Sequence, residues 1–305
     1  MIKLILKYKA YLLIWYAFLL VVHFIIRDQF KPFIFIFNAC PLIFIIAYGL
    51  FTSLLFYKKK TFCLLLLCFN SLITMYWFNN YHYDNENPEI NKSLNTHAIL
   101  YWNIARPPHL PLDRLYKNME RYNPEIVVLV EARNIPKEDF DAFKIHFPEY
   151  TIKQLNGEMV LAVKGTINDT EYRYISEASK YNFVTTTIHN HRITILIPDL
   201  LANASKSKRS DLKKVLHIAE DQNIDFIIGD FNTPYESAFL DPFHTHYESF
   251  HAYNNGFTAT WPTVFPVLEI DQIWLNKRWQ PVKLNKKFHF NSDHALLVGE
   301  FQIKP

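Results

Sequence analysis

Apolar residues crowd into three long runs near the amino terminus and break into short runs afterwards. Positions 10–26 and 62–78 are 17 residues each without Lys, Arg, Asp or Glu. Positions 33–57 make 25, interrupted mildly by Asn38 and Pro41. A membrane-spanning helix needs roughly 17–25 such residues, so the pattern predicts three spanning helices. Buried core helices are the bland alternative, but charge-free runs of this length are rare in soluble proteins. The first run has no small-x-small cleavage site and two more runs follow it, which argues for an uncleaved anchor rather than a signal peptide. Asn38, Ser53, Asn70 and Ser71 are expected to join helices to one another. No Asp, Glu, Lys or Arg lies inside a run, which argues against a transport path.

Past residue 78 the pattern changes. Positions 79–97 are polar and contain Pro88, as a linker would. Short apolar runs at 98–102, Ile126–Val130, Met159–Val163, 172–175, 183–188, 193–197, 226–228, 270–275 and 295–303 predict strands. Helical spacing of Leu112, Leu115, Tyr116 and Met119 predicts a helix stopped by Asn123-Pro124. A second helix is expected over 139–147, ended by Pro148. A third carries Leu212, Val215, Leu216 and Ala219 on one face. Asn190 suits a hairpin turn between the strands at 183–188 and 193–197. Alternating strands and helices with a hairpin imply an α/β domain with mixed sheets. The resulting division is an anchor at 1–78, a linker at 79–97 and an α/β domain at 98–305.

Charge sharpens this division. Residues 1–96 hold 9 Lys/Arg against 4 Asp/Glu, which leaves 23 against 25 in 97–305, a net of −2 for the domain. That domain lacks the basic footprint of a tight nucleic-acid binder. Lys206, Lys208, Arg209, Lys213 and Lys214 read as the solvated face of the third helix. Lys3, Lys7 and Lys9 precede the first apolar run, and Lys58, Lys59 and Lys60 separate the second from the third. The positive-inside rule puts both groups in the cytoplasm, so three crossings leave the domain extracytoplasmic. The cysteines, Cys40, Cys63 and Cys68, all lie in the apolar region, which excludes a disulfide framework or zinc cluster in the domain.

The candidate chemistry sits where apolar runs end. Asn103 follows the first strand and Glu131 the second. Asp230 and Asn232 leave the 226–228 run through Gly229, which permits close backbone approach. Asp271 lies within a strand, and Asp293-His294 enters the last one. Taken singly, each is a turn residue. Together they place oxygen ligands and an acid–base pair at one rim, since ligands of α/β sheets bind at the carboxyl ends of strands. His189 and His191 read as hairpin residues. His244, His246 and His251 are expected in a surface loop. Trp261, Phe265 and Trp274 lie near the expected rim, with ordinary core packing the commoner role for such residues.

Tyr101-Trp102-Asn103, Val128-Leu129-Val130-Glu131, Gly229-Asp230-Phe231-Asn232, Ile270-Asp271-Gln272-Ile273 and Ser292-Asp293-His294 resemble, in order, the motifs of the endonuclease/exonuclease/phosphatase (deoxyribonuclease I-like) superfamily, in a membrane-anchored branch. The resemblance covers about 97–305. It implies a four-layer α/β sandwich with two packed mixed sheets. It implies Glu131 as principal ligand of Mg2+ (Mn2+ in its place), with Asn103 nearby and Asp293 helping to hold the metal. It implies His294 as general base oriented by Asp271, Asp230 positioning the nucleophile, and Asn232 donating to a phosphoryl oxygen. The implied activity is a divalent-metal-dependent phosphodiesterase acting on nucleic acid or a phospholipid head group. Its other contact is the bilayer, and no protein partner is expected. One position departs from the pattern: in Ile197-Pro198-Asp199-Leu200, Asp199 or Pro198 stands where the family carries a phosphate-contacting His or Tyr. A carboxylate there repels phosphate, and the alternative it raises is a catalytically impaired phosphate-binding module on a membrane anchor. Gln272 replaces a His common after the matching Asp, with only a packing change expected.

Overall fold

The computed structural model describes residues 2–85 and 96–304, with side chains in the first helix from Tyr8 onward. The chain forms two compact units. One contains the amino-terminal helices up to His82 with segments 203–207 and 236–239, and the other contains the rest.

In the first unit, α1 (Ile2–Val21) continues into a π-helical turn, Val22–Ile26, and α4 spans Lys60–Tyr81. Tyr8–Ile26 and Lys60–Tyr81 are each long and apolar enough to cross a membrane. The second apolar run is not one helix. It divides into α2 (Lys31–Ala39) and α3 (Leu42–Leu54), bent by 81° at Cys40-Pro41, and passes the same test only as a pair. Pro41 lacks the amide hydrogen that would carry the ladder across, so the interruption expected to be mild is a sharp break. Helices α1, α3 and α4 meet at Gly49, where a Cβ would lie 2.2 Å from Asn70 Oδ1 and 2.5 Å from the Tyr16 ring. Tyr16 donates to Asn70 Oδ1 at 2.6 Å, so Asn70 joins helices as expected. Ser53 and Ser71 instead bond carbonyls one turn back in their own helices, and Asn38 bonds the Ala204 carbonyl.

The second unit holds two six-stranded sheets. Its strands are β1 (His97–Asn103), β2 (Ile126–Val130), β3 (Thr151–Leu155), β4 (Met159–Val163), β5 (Thr166–Tyr174), β6 (Lys180–Ile188), β7 (His191–Asp199), β8 (Phe226–Asp230), β9 (Tyr247–Ser249), β10 (Asp271–Asn276), β11 (Trp279–Lys287) and β12 (Leu296–Ile303). One sheet runs β11-β12-β1-β2-β4-β3 and the other β9-β10-β8-β7-β6-β5. The pairs β1–β2 and β7–β8 are parallel and their other neighbours antiparallel, so both sheets are mixed as expected.

The period of two sorts each central strand. Ile99, Tyr101, Ile126, Val128 and Val130 face the other sheet, meeting Ile195, Ile197, Phe226 and Ile228. Their alternates, Leu100, Trp102, Val127 and Leu129, pack with Leu115 and Met119 of α5 (Leu112–Tyr122) and Phe140 and Phe143 of α6 (Lys137–His146). Helix α7 (Arg209–Asp221) buries Leu212, Val215 and Ala219. The architecture is an α/β fold with mixed sheets, as the alternation implied, and its two sheets pack face to face, as the resemblance implied. Asn123 ends α5 in the left-handed conformation that Asn tolerates. Lys208 departs from the expected solvated face: it is buried, and its ammonium bonds the Leu201 carbonyl. Three strands gave no apolar signal. The longest, β11, is an edge strand carrying Pro281, Lys283, Lys286 and Lys287, the residues by which exposed edges resist further pairing.

Candidate metal and phosphate site

The two parallel pairs end at one rim. Asn103 closes β1 and Glu131 follows β2, while Asp199 closes β7 and Asp230 closes β8. Strand β10 runs the opposite way and begins there with Asp271, and His294 lies just before β12. Register sets the order within the second sheet. Asp199 stands opposite Asp230, and Asp230 opposite Asp271. Gly229 serves this register rather than a ligand, because a Cβ would lie 2.0 Å from the Pro198 carbonyl oxygen of the neighbouring strand.

His294 and Asp271 form a buried pair. Nδ1 lies 2.9 and 3.0 Å from the two carboxylate oxygens, and the Tyr101 hydroxyl donates to Asp271 Oδ1 at 3.0 Å. Ser292 fixes the approach of the loop, donating to the Asn103 carbonyl at 2.7 Å and accepting the His294 amide at 3.0 Å. Burial opposes a charge on His294, but Asp271, Asp230 and Asp293 outweigh it and push the imidazole up to about 10. Asn103 links the two halves of the rim. Its Nδ2 lies 3.0 Å from Asp230 Oδ2 and 3.5 Å from His294 Nε2, and its Oδ1 accepts the Ala105 amide at 3.0 Å.

Oxygen ligands gather beside this pair. Single carboxylate oxygens of Glu131, Asp199 and Asp230 lie within 4.8 Å of one another, and Asp230, Asp271 and His294 form a second such group. Burial raises the carboxyls of all three members of the first group, most strongly Asp230, where the Asp271 charge adds to the effect. Hard oxygen donors at this spacing suit a divalent cation of the Mg2+ or Mn2+ type. Glu131 and Asn232 have φ of 56° and 45°, as do Ala105 and Arg106 at 54° and 51°. Left-handed backbone at Glu131 carries strain that surrounding bonds hold in place: Arg106 N donates to the Glu131 carbonyl at 2.8 Å, and Ala132 N to that of Glu158 at 2.8 Å.

Several expected residues have other surroundings. Asn232 directs its side-chain amide to the Leu200 carbonyl at 2.8 Å. Asp293 is 56% exposed and belongs to neither oxygen group. It accepts from Trp261 Nε1 at 2.9 Å and lies 3.8 Å from His294 Nε2. Trp274 is wholly buried and donates to Gln272 Oε1, a core pairing rather than a rim position. His244 and His246 are exposed, but His251 is not a surface residue: it stacks on Tyr235 at 3.8 Å and bonds Glu269 at 2.8 Å. His189 bonds Glu125 at the hairpin end, remote from Asp199 along β7.

A ring of ion pairs borders the carboxylates, and the apolar runs gave no sign of it. Arg106 bridges Glu131 at 2.9 Å and Glu158 at 2.8 Å. Lys180 lies 3.1 Å from Asp199 and 3.9 Å from Glu158. The hairpin could have revealed Lys180: stepping outward from the facing pair Ile188 and His191 reaches Lys180 opposite Asp199.

These features define the class of the protein as an α/β fold with a cluster of carboxylates beside an Asp–His pair. The model of the endonuclease/exonuclease/phosphatase family matches residues 100–294, and the chain belongs to that family. Its members are phosphoric ester hydrolases. Among solved structures, an endonuclease/exonuclease/phosphatase from Bacteroides vulgatus is similar at 14% identity and TM-score 0.53, over 68% of this chain and 99% of that one. D. rerio TDP2 complexed with a single-strand DNA product gives 13%, 0.53, 68% and 99%. The human nocturnin catalytic domain with a bound sulfate anion gives 15%, 0.51, 68% and 95%. At these identities the likeness is one of fold. No curated protein matches the chain in sequence.

Proposed function

We propose that the chain is a membrane-anchored phosphodiesterase dependent on Mg2+ or Mn2+, with the anchor at 1–78, a linker at 79–97 and the catalytic domain at 98–305. Positions 86–95 of that linker lie outside the described residues. One observation carries the proposal: the Asp271–His294 pair and the Glu131, Asp199 and Asp230 oxygens converge on one rim, with Asn103 between them. Glu131, Asn103 and Asp230 would hold the cation, with Asp293 at its outer side. When bound, the cation supplies positive charge for the phosphoryl oxygens and for the carboxylates that otherwise hold His294 protonated. His294 Nε2 then takes the proton of the attacking water, while Asp271 keeps the ring oriented through Nδ1. Asn103 and the rim amides steady the phosphoryl oxygens.

A head group at a membrane surface is the substrate class we favour. The loop before His294 exposes Phe288 and Phe290, the latter at 95%, and the loop after Trp261 exposes Val264 at 85% and Phe265 at 58%. Thr263 ties the two loops together, its amide donating to the Asp293 carbonyl and its hydroxyl to that of Ser292. Exposed apolar tips beside a site suit a lipid interface, whereas a domain of net −2 has weak attraction for a nucleic-acid backbone. Asp28, in the loop between α1 and α2, accepts the Ala238 amide at 3.0 Å, which favours three crossings over two. Together with the positive-inside rule this supports the reading of an extracytoplasmic domain.

The test is a substrate panel on the full-length protein in detergent, comparing phospholipids, DNA, RNA and bis-p-nitrophenyl phosphate with and without Mg2+. Metal-dependent turnover with phospholipid preferred is expected. No turnover of any diester would leave only the phosphate-binding module, and a nuclease preference would remove the lipid assignment. Reporter fusions after Asn95 check the topology, and a cytoplasmic signal would contradict it.

A further inference from the structure

Lys180 opens β6 directly opposite Asp199 at the end of β7. Asp199 faces Asp230, and Asp230 faces Asp271. Four neighbouring strands therefore carry Lys180, Asp199, Asp230 and Asp271 as one row along the rim. Residues paired across adjacent strands project from the same face of the sheet. At one end of this row, Asp271 holds the His294 ring at 2.9 Å. At the other, Asp199 holds the Lys180 ammonium at 3.1 Å.

Phosphoryl transfer in line has the same polarity. The attacking oxygen enters on one side of phosphorus, and the departing oxygen leaves on the other, gathering negative charge. A row with a proton acceptor at one end and a cation at the other matches both demands. Asp199 alone would repel the departing oxygen, but the Asp199–Lys180 pair presents an ammonium instead. The pair is an unpromising stability device, because its side chains are only 8% and 14% exposed and desolvation offsets much of the attraction in buried ion pairs. Arg106 borders the same carboxylates, but it stands outside the row on Glu131 and Glu158.

We infer that Lys180 contacts the departing oxygen of the phosphodiester, with Asp199 as its positioning residue. The inference rests on the phosphodiesterase reading above. As the water oxygen bonds to phosphorus, its proton passes to His294 Nε2. The opposite P–O bond breaks, its electron pair stays on the departing oxygen, and Lys180 Nζ donates a hydrogen bond to that oxygen.

The experiment measures kcat/KM of the full-length protein for phosphodiesters whose leaving groups run from p-nitrophenol to a simple alcohol. Lys180→Met leaves the Asp199 carboxylate without its cation, so the double variant Lys180→Met/Asp199→Asn is measured beside it, all at saturating Mg2+, with Lys180→Arg as the conservative change. We expect about 100-fold loss for the alcohol and less than about fivefold for p-nitrophenol, the size typical of a lost contact to a group that gathers charge. Lys180→Arg should restore most of the loss. Equal losses across leaving groups, or none, in the folded double variant would overturn the role of Lys180 and leave the hydrolase standing. A wild-type protein inert toward every diester would overturn the phosphodiesterase reading itself, and this inference with it.

Discussion

Replacing Asp271 with Asn changes a single atom at the most enclosed point of the site. Asp271 is fully buried and His294 is 8% exposed, so solvent does not screen the pair. The Tyr101 hydroxyl donates to Asp271 Oδ1 at 3.0 Å, and an amide oxygen would keep that bond. The amide nitrogen would then face His294 Nδ1, which must become an acceptor. The ring is forced into the tautomer with its hydrogen on Nε2, the atom required to take a proton from water. Breaking a buried pair by removing one partner costs about 3–5 kcal/mol. At 1.36 kcal/mol per factor of ten, such a loss in the transition state is a fall of about 100- to 1,000-fold or more in kcat. The assay is Mg2+-dependent release of p-nitrophenol by the full-length protein, at equal folded fraction. Activity of Asp271→Asn within about tenfold of wild type, below the usual effect of positioning an acid–base group, would refute the assignment.

Two further outcomes follow from the same geometry. Gly229→Ala would set a Cβ 2.0 Å from the Pro198 carbonyl, and overpacking of this kind destabilises by about 1–3 kcal/mol. A denaturant midpoint unchanged within experimental error would contradict that register. In the metal-free protein, His294 is raised to about 10 and the Glu131, Asp199 and Asp230 carboxyls are also raised. The folded state then binds more protons than the unfolded one. The imidazole's contribution is complete below its ordinary value near ~6.5 and fades as pH climbs to about 10. The raised carboxyls act in the same direction, beginning near pH ~4. Thermal melts in EDTA should therefore show a lower Tm at about pH 9 than at about pH 6, and a flat or rising trend would show that the carboxylates do not hold the ring.

Much of this organisation was legible because chemistry sits where apolar runs stop. Asn103, Glu131 and His294 each border a strand whose alternate residues fill two separate cores, Asp230 follows a wholly buried run with Phe226 and Ile228 in the core between the sheets, and so strong a pattern fixes where the strand ends. Long apolar runs announced the helices, but the pattern overlooked that Pro41 turns one run by 81°. Edge strand β11 was invisible because its Gln, Lys and Asn residues interrupt the apolar alternation, although none of its positions is fully exposed in the fold. The ion-pair ring was hidden for a related reason. Arg106 and Glu158 are polar loop residues that only the folded chain brings to the carboxylates, while Lys180, at a strand start, reaches Asp199 through the register of the hairpin. Asp199 looked like a defect in isolation and is half of an ion pair in the fold. His251 looked like a surface-loop residue because periodicity alone does not report the layers that cover it.

The central claim is that oxygen ligands headed by Glu131 hold a divalent cation on which phosphodiester hydrolysis depends. The direct measurement is the initial rate of bis-p-nitrophenyl phosphate hydrolysis by full-length protein stripped with EDTA, titrated with Mg2+ or Mn2+, for wild type and Glu131→Ala. The account predicts no turnover before addition, saturable recovery in wild type and no recovery in the variant. Turnover that ignores the metal, or a Glu131→Ala titration that overlays wild type, would contradict it.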